Sequence, residues 1–167
     1  YPAPLSAAAR LKMVDILAKA SGMQGMCKGQ ALDMQSEGKA LTTEELKHLH
    51  ACKTGALIKA SICLGALTQP NLSQDHFQIL ESFADDIGLA FQVQDDILDI
   101  EGTTQALGKP QGSDARLNKA TFPVLLGMQN AKNLAHELCE RSKKSLENLP
   151  FNSQPLCNLA DYIIDRV

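Results

Sequence analysis

The segment FQVQDDILD (91–99) sets four polar groups into an apolar run. At helical rotation, Gln92, Asp95, Asp96 and Asp99 fall within about 100° of arc. Asp95 and Asp99 are four residues apart, so on a helix their carboxylates stand one above the other. Phe77, Leu80, Ala84, Ile87, Phe91 and Leu98 form an apolar stripe on one side of this strip. Leu89, Val93, Ile97 and Ile100 form another, roughly opposite. A helix apolar on two sides is expected to be buried. Burying like charges costs several kcal/mol per ion unless cations come with them. A row of carboxylate oxygens is a hard-ligand set, suited to Mg²⁺ or Ca²⁺ rather than zinc. The competing reading is a solvated acidic face.

Lys53 is the second chemical anomaly. It falls near the centre of a stripe made by Leu46, Leu49, Ala56, Leu57, Ala60, Leu64 and Leu67. A lysine there either snorkels past the rim or meets an anion inside. Thr54 and Gly55 follow, a donor hydroxyl and a residue that lets a ligand approach. The segment 101–120 holds three glycines, one proline, Lys109 and Lys119. Irregular segments of ~20 residues are often lids or binding loops. Carboxylates and lysines around one cavity suit a polyphosphate held through Mg²⁺, which keeps its waters unless substrate oxygens complete its octahedron. No GxxxxGK[ST] occurs, so a P-loop is not the source of such chemistry. Leu, Phe and Ala walls point to a substrate that is otherwise apolar.

The elements that must position these groups are helical. Leucine and alanine number 44 of the 167 residues, against 13 valines and isoleucines, which predicts an all-α chain. Five helices are expected. The first spans about Leu5 to Gln35, kinked at its glycines, and the second runs from the Thr42–Glu45 capping box to about Leu67. The third runs from Ser73 to about Ile100, and the fourth from Thr121 to about Glu147, with Pro123 in its first turn. A short fifth helix starts at Ser153. A net charge of −3, seven aromatic residues and no tryptophan lack the footprint of a nucleic-acid binder. Five cysteines without a CxxC pair argue against a disulfide framework and point to a reducing, cytoplasmic setting. No apolar run reaches the ~20 residues of a membrane span. His48 and His50 are two apart, and surface or packing roles are expected for them.

FQVQDDILD resembles the second aspartate-rich motif, DDxxD, of trans-isoprenyl diphosphate synthases. GQALD (29–33), HACKTGAL (50–57) and LGKPQGSDARLNKATFP (107–123) fall where that family places its other motifs. In detail they are most similar to the bacterial farnesyl diphosphate synthase branch. The resemblance implies an all-α isoprenoid synthase bundle around a central cavity. It also implies condensation of an allylic diphosphate, dimethylallyl or geranyl, with isopentenyl diphosphate and release of diphosphate. The implied cofactor is Mg²⁺, with Mn²⁺ as a substitute, and the implied assembly is a homodimer. Carried over residue by residue, Asp95 and Asp99 match the magnesium ligands, with Asp96 supporting them. Lys53 matches the lysine on the allylic diphosphate, and Thr54 and Gln92 the polar groups near the cleaving C–O bond. Lys109 and Lys119 match basic residues of the closing loop, and Phe91 a contact to the isoprenoid. Gln30 and Asp33 match the GQxxD pair, with Asp33 a further candidate metal ligand.

The departure is as informative. That family carries a first DDxxD motif with a paired arginine and an earlier basic motif for isopentenyl diphosphate. Here 95–99 is the only DDxxD, and Asp85-Asp86 is followed by Ile-Gly-Leu. The expectation is a single all-α region, 1–167, equivalent to the C-terminal portion of a synthase domain and inactive in condensation by itself. The alternative is a non-catalytic partner or regulatory half-subunit of a synthase.

Overall fold

Side-chain caps start two of the helices where the sequence places them, whereas Thr121 and Ser153 begin theirs without a side-chain cap. The Thr42 hydroxyl accepts from the Glu45 amide while Glu45 accepts from the Thr42 amide, a complete capping box. The Ser73 hydroxyl accepts from the His76 amide at 3.1 Å. In the computed structural model, residues 5–101 and 119–166 are described. Among them the chain forms α1 (Ala7–Ser21), α2 (Met26–Ser36), α3 (Thr43–His50), a π turn (Ala51–Gly55) and α4 (Ala56–Ala66). It continues as α5 (Gln74–Glu101), α6 (Phe122–Leu126), α7 (Met128–Leu146) and α8 (Gln154–Asp165). No strand occurs among the described residues, so the all-α expectation holds.

Three of the five expected helices are interrupted, each for a local reason. Gly22 and Gly25 close a tight turn between α1 and α2, where a side chain on Gly25 would collide with the Ala20 backbone. Gly127 takes φ +83°, in the left-handed region that favours glycine, and separates α6 from α7. Between α3 and α4 one turn closes as a π turn, which takes an extra residue and shifts the phase of the helix after it. Cys52, Ala60 and Cys63 are therefore the buried positions. Leu57 and Leu64, expected on the apolar stripe, are only half-buried.

The 28-residue α5 is the central helix, packed along α7 and also touching α4, α6, α8 and the π turn. Phe83, Ile87, Val93 and Phe122 are essentially inaccessible at its contacts. Each such side chain contributes about 1.5–3 kcal/mol of hydrophobic stabilisation. Phe77, Leu80, Ala84 and Ile87 are buried as the stripe predicts, whereas Phe91 and Leu98 are half-buried and Ile100 is exposed. No described helix is long and apolar enough to cross a membrane.

Candidate functional site

The last third of α5 forms one wall of a cavity of ≈ 230 Å³. Gln92, Asp95 and Asp96 line it from α5, Lys53 and His50 from the π turn and the end of α3, and Asp33 from α2. Lys119 and Thr121 close it ahead of α6. Leu41, Leu46 and Leu49 supply the apolar part. Segments from residue 33 to residue 121 thus converge on one space.

Lys53 does not snorkel. Its ammonium donates to Asp33 Oδ2 at 2.7 Å, and Lys119 Nζ lies 3.4 Å from the same oxygen. Partial burial raises the Asp33 pKa, but the Lys53 hydrogen bond and charge, with the Lys119 charge, outweigh it and hold the carboxylate below its usual range. Asp33 is thus the shared counter-ion of two lysines rather than an open metal ligand. Thr54 Oγ1 donates to Gln92 Oε1 at 2.8 Å, tying the π turn to α5.

The three motif aspartates have different surroundings. Asp95 keeps 39% of its side chain exposed, with Arg166 Nη2 3.9 Å away. Asp96 is buried, and its Oδ2 accepts the Phe122 amide at 2.9 Å, satisfying an end group of α6. Asp99 is buried at 1% exposure and does not line the cavity. The spacing of Asp95 and Asp99 is that of a stacked pair, but only Asp95 is open to a ligand. Replacing Asp96 with alanine strands the Phe122 amide and is expected to cost about 1–3 kcal/mol. Asparagine at the same position is expected to recover most of this, and thermal unfolding of the two variants measures the difference.

Other expected site residues lie apart from the cavity. Gln30 is exposed on α2 and Thr54 stands behind the cavity wall. Phe91 lies under Arg166, whose guanidinium sits 4.1 Å from the ring centroid and donates to the Phe91 carbonyl oxygen at 3.0 Å. Lys109 falls outside the described residues.

His50 is the group the sequence undervalues. Its side chain is 11% exposed, its ring stacks on Phe122 with centroids 5.7 Å apart, and neither ring nitrogen has a hydrogen-bond partner among the described residues. Burial, then the Lys53 charge, lower its pKa to about 4 against an opposing pull from Asp33. The 4.0 Å approach to Asp96 Oδ2 is therefore a neutral contact rather than an ion pair at neutral pH. The available signal was its place three residues before Lys53, on the same helical face.

The donor set suits a divalent ion only in part. Among the described residues, no group of three or more His, Cys, Asp or Glu is close enough to hold a metal alone. Asp95 is open, and Asp96 stands beside it on the cavity wall. Such a half-built shell fits a hard cation that takes its remaining oxygens from a bound ligand.

Residues 3–150 match the family model described as Polyprenyl synthetase. The chain is 47% identical over 160 residues to the farnesyl diphosphate synthase of Escherichia coli K12, covering 94% of this chain and 54% of that protein. It is 44% identical to the farnesyl diphosphate synthase of Haemophilus influenzae, with 97% and 55% covered. A putative farnesyl-diphosphate synthase structure from Marinomonas sp. MED121 superposes with a TM-score of 0.81 at 41% identity, covering 98% and 56%. A Helicobacter pylori geranyltransferase solved with magnesium and isoprenyl diphosphate gives 0.80 at 33% identity, covering 97% and 52%. The chain spans about half the length of the curated relatives it matches.

Proposed function

Since the chain belongs to the polyprenyl synthetase family, we propose that it supplies the allylic-diphosphate half of a short-chain isoprenyl diphosphate synthase. The proposed reaction of the whole enzyme is condensation of dimethylallyl or geranyl diphosphate with isopentenyl diphosphate to farnesyl or geranyl diphosphate. The observation that carries the reading is the convergence of Lys53, Lys119, Gln92 and Asp95 on one cavity.

The chemistry these residues serve is heterolysis of an allylic C–O bond. Negative charge develops on the leaving diphosphate, where Lys53 and Lys119 stabilise it as it forms. To do so both lysines exchange Asp33 for phosphoryl oxygens, a swap of one anion for another that leaves no buried ammonium unpaired. Gln92, held from behind by the Thr54 hydroxyl, presents its dipole to the positive charge left on carbon, and Leu41, Leu46 and Leu49 keep water from it. A bound Mg²⁺ would neutralise diphosphate charge, held by Asp95 with Asp96 beside it on the cavity wall, and the buried Asp99 of the same motif would back them from the next turn of the helix. Lys109 is proposed as a further diphosphate contact, Phe91 as an isoprenoid contact once Arg166 moves aside, and Gln30 as a rim residue. A chain of these 167 residues is proposed to bind diphosphate without condensing isopentenyl diphosphate.

Titration calorimetry with inorganic diphosphate tests this. Affinity is expected to be at least about tenfold higher with Mg²⁺ than with a chelator. Asp95→Ala is expected to remove most of that difference while preserving helicity by circular dichroism. Equal affinities with and without Mg²⁺ in the parent chain would overturn the metal role, and no binding at all would overturn the reading.

A further inference from the structure

Two glycines flank the π turn that carries Lys53 and Thr54. Gly29, buried in α2, faces the Lys53 backbone so closely that a methyl group there would overlap its N and Cα and lie 2.6 Å from its Cβ. Gly88, buried in α5, would place a methyl 3.3 Å from Gly55 Cα and 3.9 Å from Ile58 Cβ. Glycine is a poor residue for a helix interior, so two of them facing one short turn call for a reason. The next turn of each helix supplies it. Four residues after Gly29, Asp33 takes the Lys53 ammonium at 2.7 Å. Four residues after Gly88, Gln92 takes the Thr54 hydroxyl at 2.8 Å. Each helix thus presents a bare backbone where the π turn passes, and one turn later a polar group that takes the side chain leaving it.

We propose that Gly29 and Gly88 are positioning residues, admitting the π turn between α2 and α5 so that Lys53 leaves it toward the diphosphate site while Thr54 leaves it toward Gln92. The inference deepens, and rests on, the diphosphate reading above. A regular α-turn over the same residues would close one residue earlier and rotate the helix beyond it by about 100°. Lys53 and Thr54 would then face the cavity and Gln92 in a different register. The two glycines make that register accessible, and neither touches the ligand.

Gly88→Ala is the informative variant, because a 3.3 Å contact demands a shift of only a few tenths of an ångström. It is expected to fold with a small change in melting temperature yet lose about tenfold in magnesium diphosphate affinity, since small misplacements of binding groups are costly. Gly29→Ala is expected to lose more. Gly65→Ala, where an added Cβ meets open space, is the control: its affinity should be unchanged, and its melting temperature should rise slightly with helix propensity. The decisive comparison repeats Gly88→Ala in a Lys53→Met background, where affinity should fall no further because the lysine it positions is gone. Unchanged affinity in Gly88→Ala, or a full additional loss without Lys53, would overturn the proposal. If Gly29→Ala fails to fold, Gly88→Ala still decides. Absence of magnesium diphosphate binding by the parent chain would overturn this inference together with the diphosphate reading. Binding by the parent with equal binding by the variants would overturn this inference alone.

Discussion

Replacing Lys53 with methionine is expected to weaken magnesium diphosphate binding by about 30- to 100-fold, roughly 2–3 kcal/mol. The side chain is 30% exposed and lies in a cavity with apolar walls, where a charge-assisted hydrogen bond to a phosphoryl oxygen is worth more than at an open surface. The same substitution is expected to leave the fold nearly as stable as before. The pair it breaks is with Asp33, itself partly exposed, and Lys119 remains 3.4 Å from the same oxygen. Ion pairs of that kind contribute about 0–1 kcal/mol, and methionine keeps most of the packed stem. Calorimetry for affinity and thermal unfolding for stability separate the two. A large fall in melting temperature with less than a twofold change in affinity would mean that the lysine is structural.

The second large effect is on pH stability and belongs to His50. Its pKa in the folded chain is about 4, against an ordinary value of 6.5, because burial and the Lys53 charge oppose protonation. Above pH 6.5 the ring is neutral whether folded or unfolded and makes no difference. Between 6.5 and 4 the unfolded chain takes up a proton that the folded chain refuses, so stability falls with pH across that window. The full loss is about 3 kcal/mol at its lower edge. His50→Phe preserves the stacking on Phe122 without a titrating ring, and its stability should be flatter across the same window. Denaturant titrations at pH 7 and pH 4.5 on both proteins make the comparison. Equal slopes with pH in the two would show that the ring is charged in the folded state.

The parts of this molecule legible in the sequence are those set by local spacing. The Thr42–Glu45 capping box, the start of α5 at Ser73 and the apolar repeat from Phe77 to Ile87 follow from residues within one or two turns. Lys53 on an apolar stripe was also visible as an anomaly, a lysine that either snorkels past the rim or meets an anion. The nature of that anion was not, because Asp33 lies twenty residues away on another helix. The π turn gives no periodic signal of its own, since it depends on the approach of α2 and α5 from both sides. Spacing placed Asp95 and Asp99 on one face but could not say which of the two the tertiary neighbours would cover. For His50, helical rotation separates it from His48 but carries no information about depth.

The direction of α5 adds a contribution that no single side chain supplies. Its C-terminal end carries the negative pole of the helix macrodipole, equivalent to about half an electronic charge. The sequence ends this helix with Asp95, Asp96, Asp99 and Glu101 and places no basic residue in its last turn. Carboxylates at that pole are repelled by the backbone as well as by one another. Compensation comes from other segments: Lys132 pairs with Glu101 at 2.8 Å, and Arg166 stands 3.9 Å from Asp95. The pole and its carboxylates lower the potential at that end of the cavity before any ligand arrives. A cation drawn there is attracted by the peptide groups of α5 too, and that part of the attraction survives removal of any one aspartate.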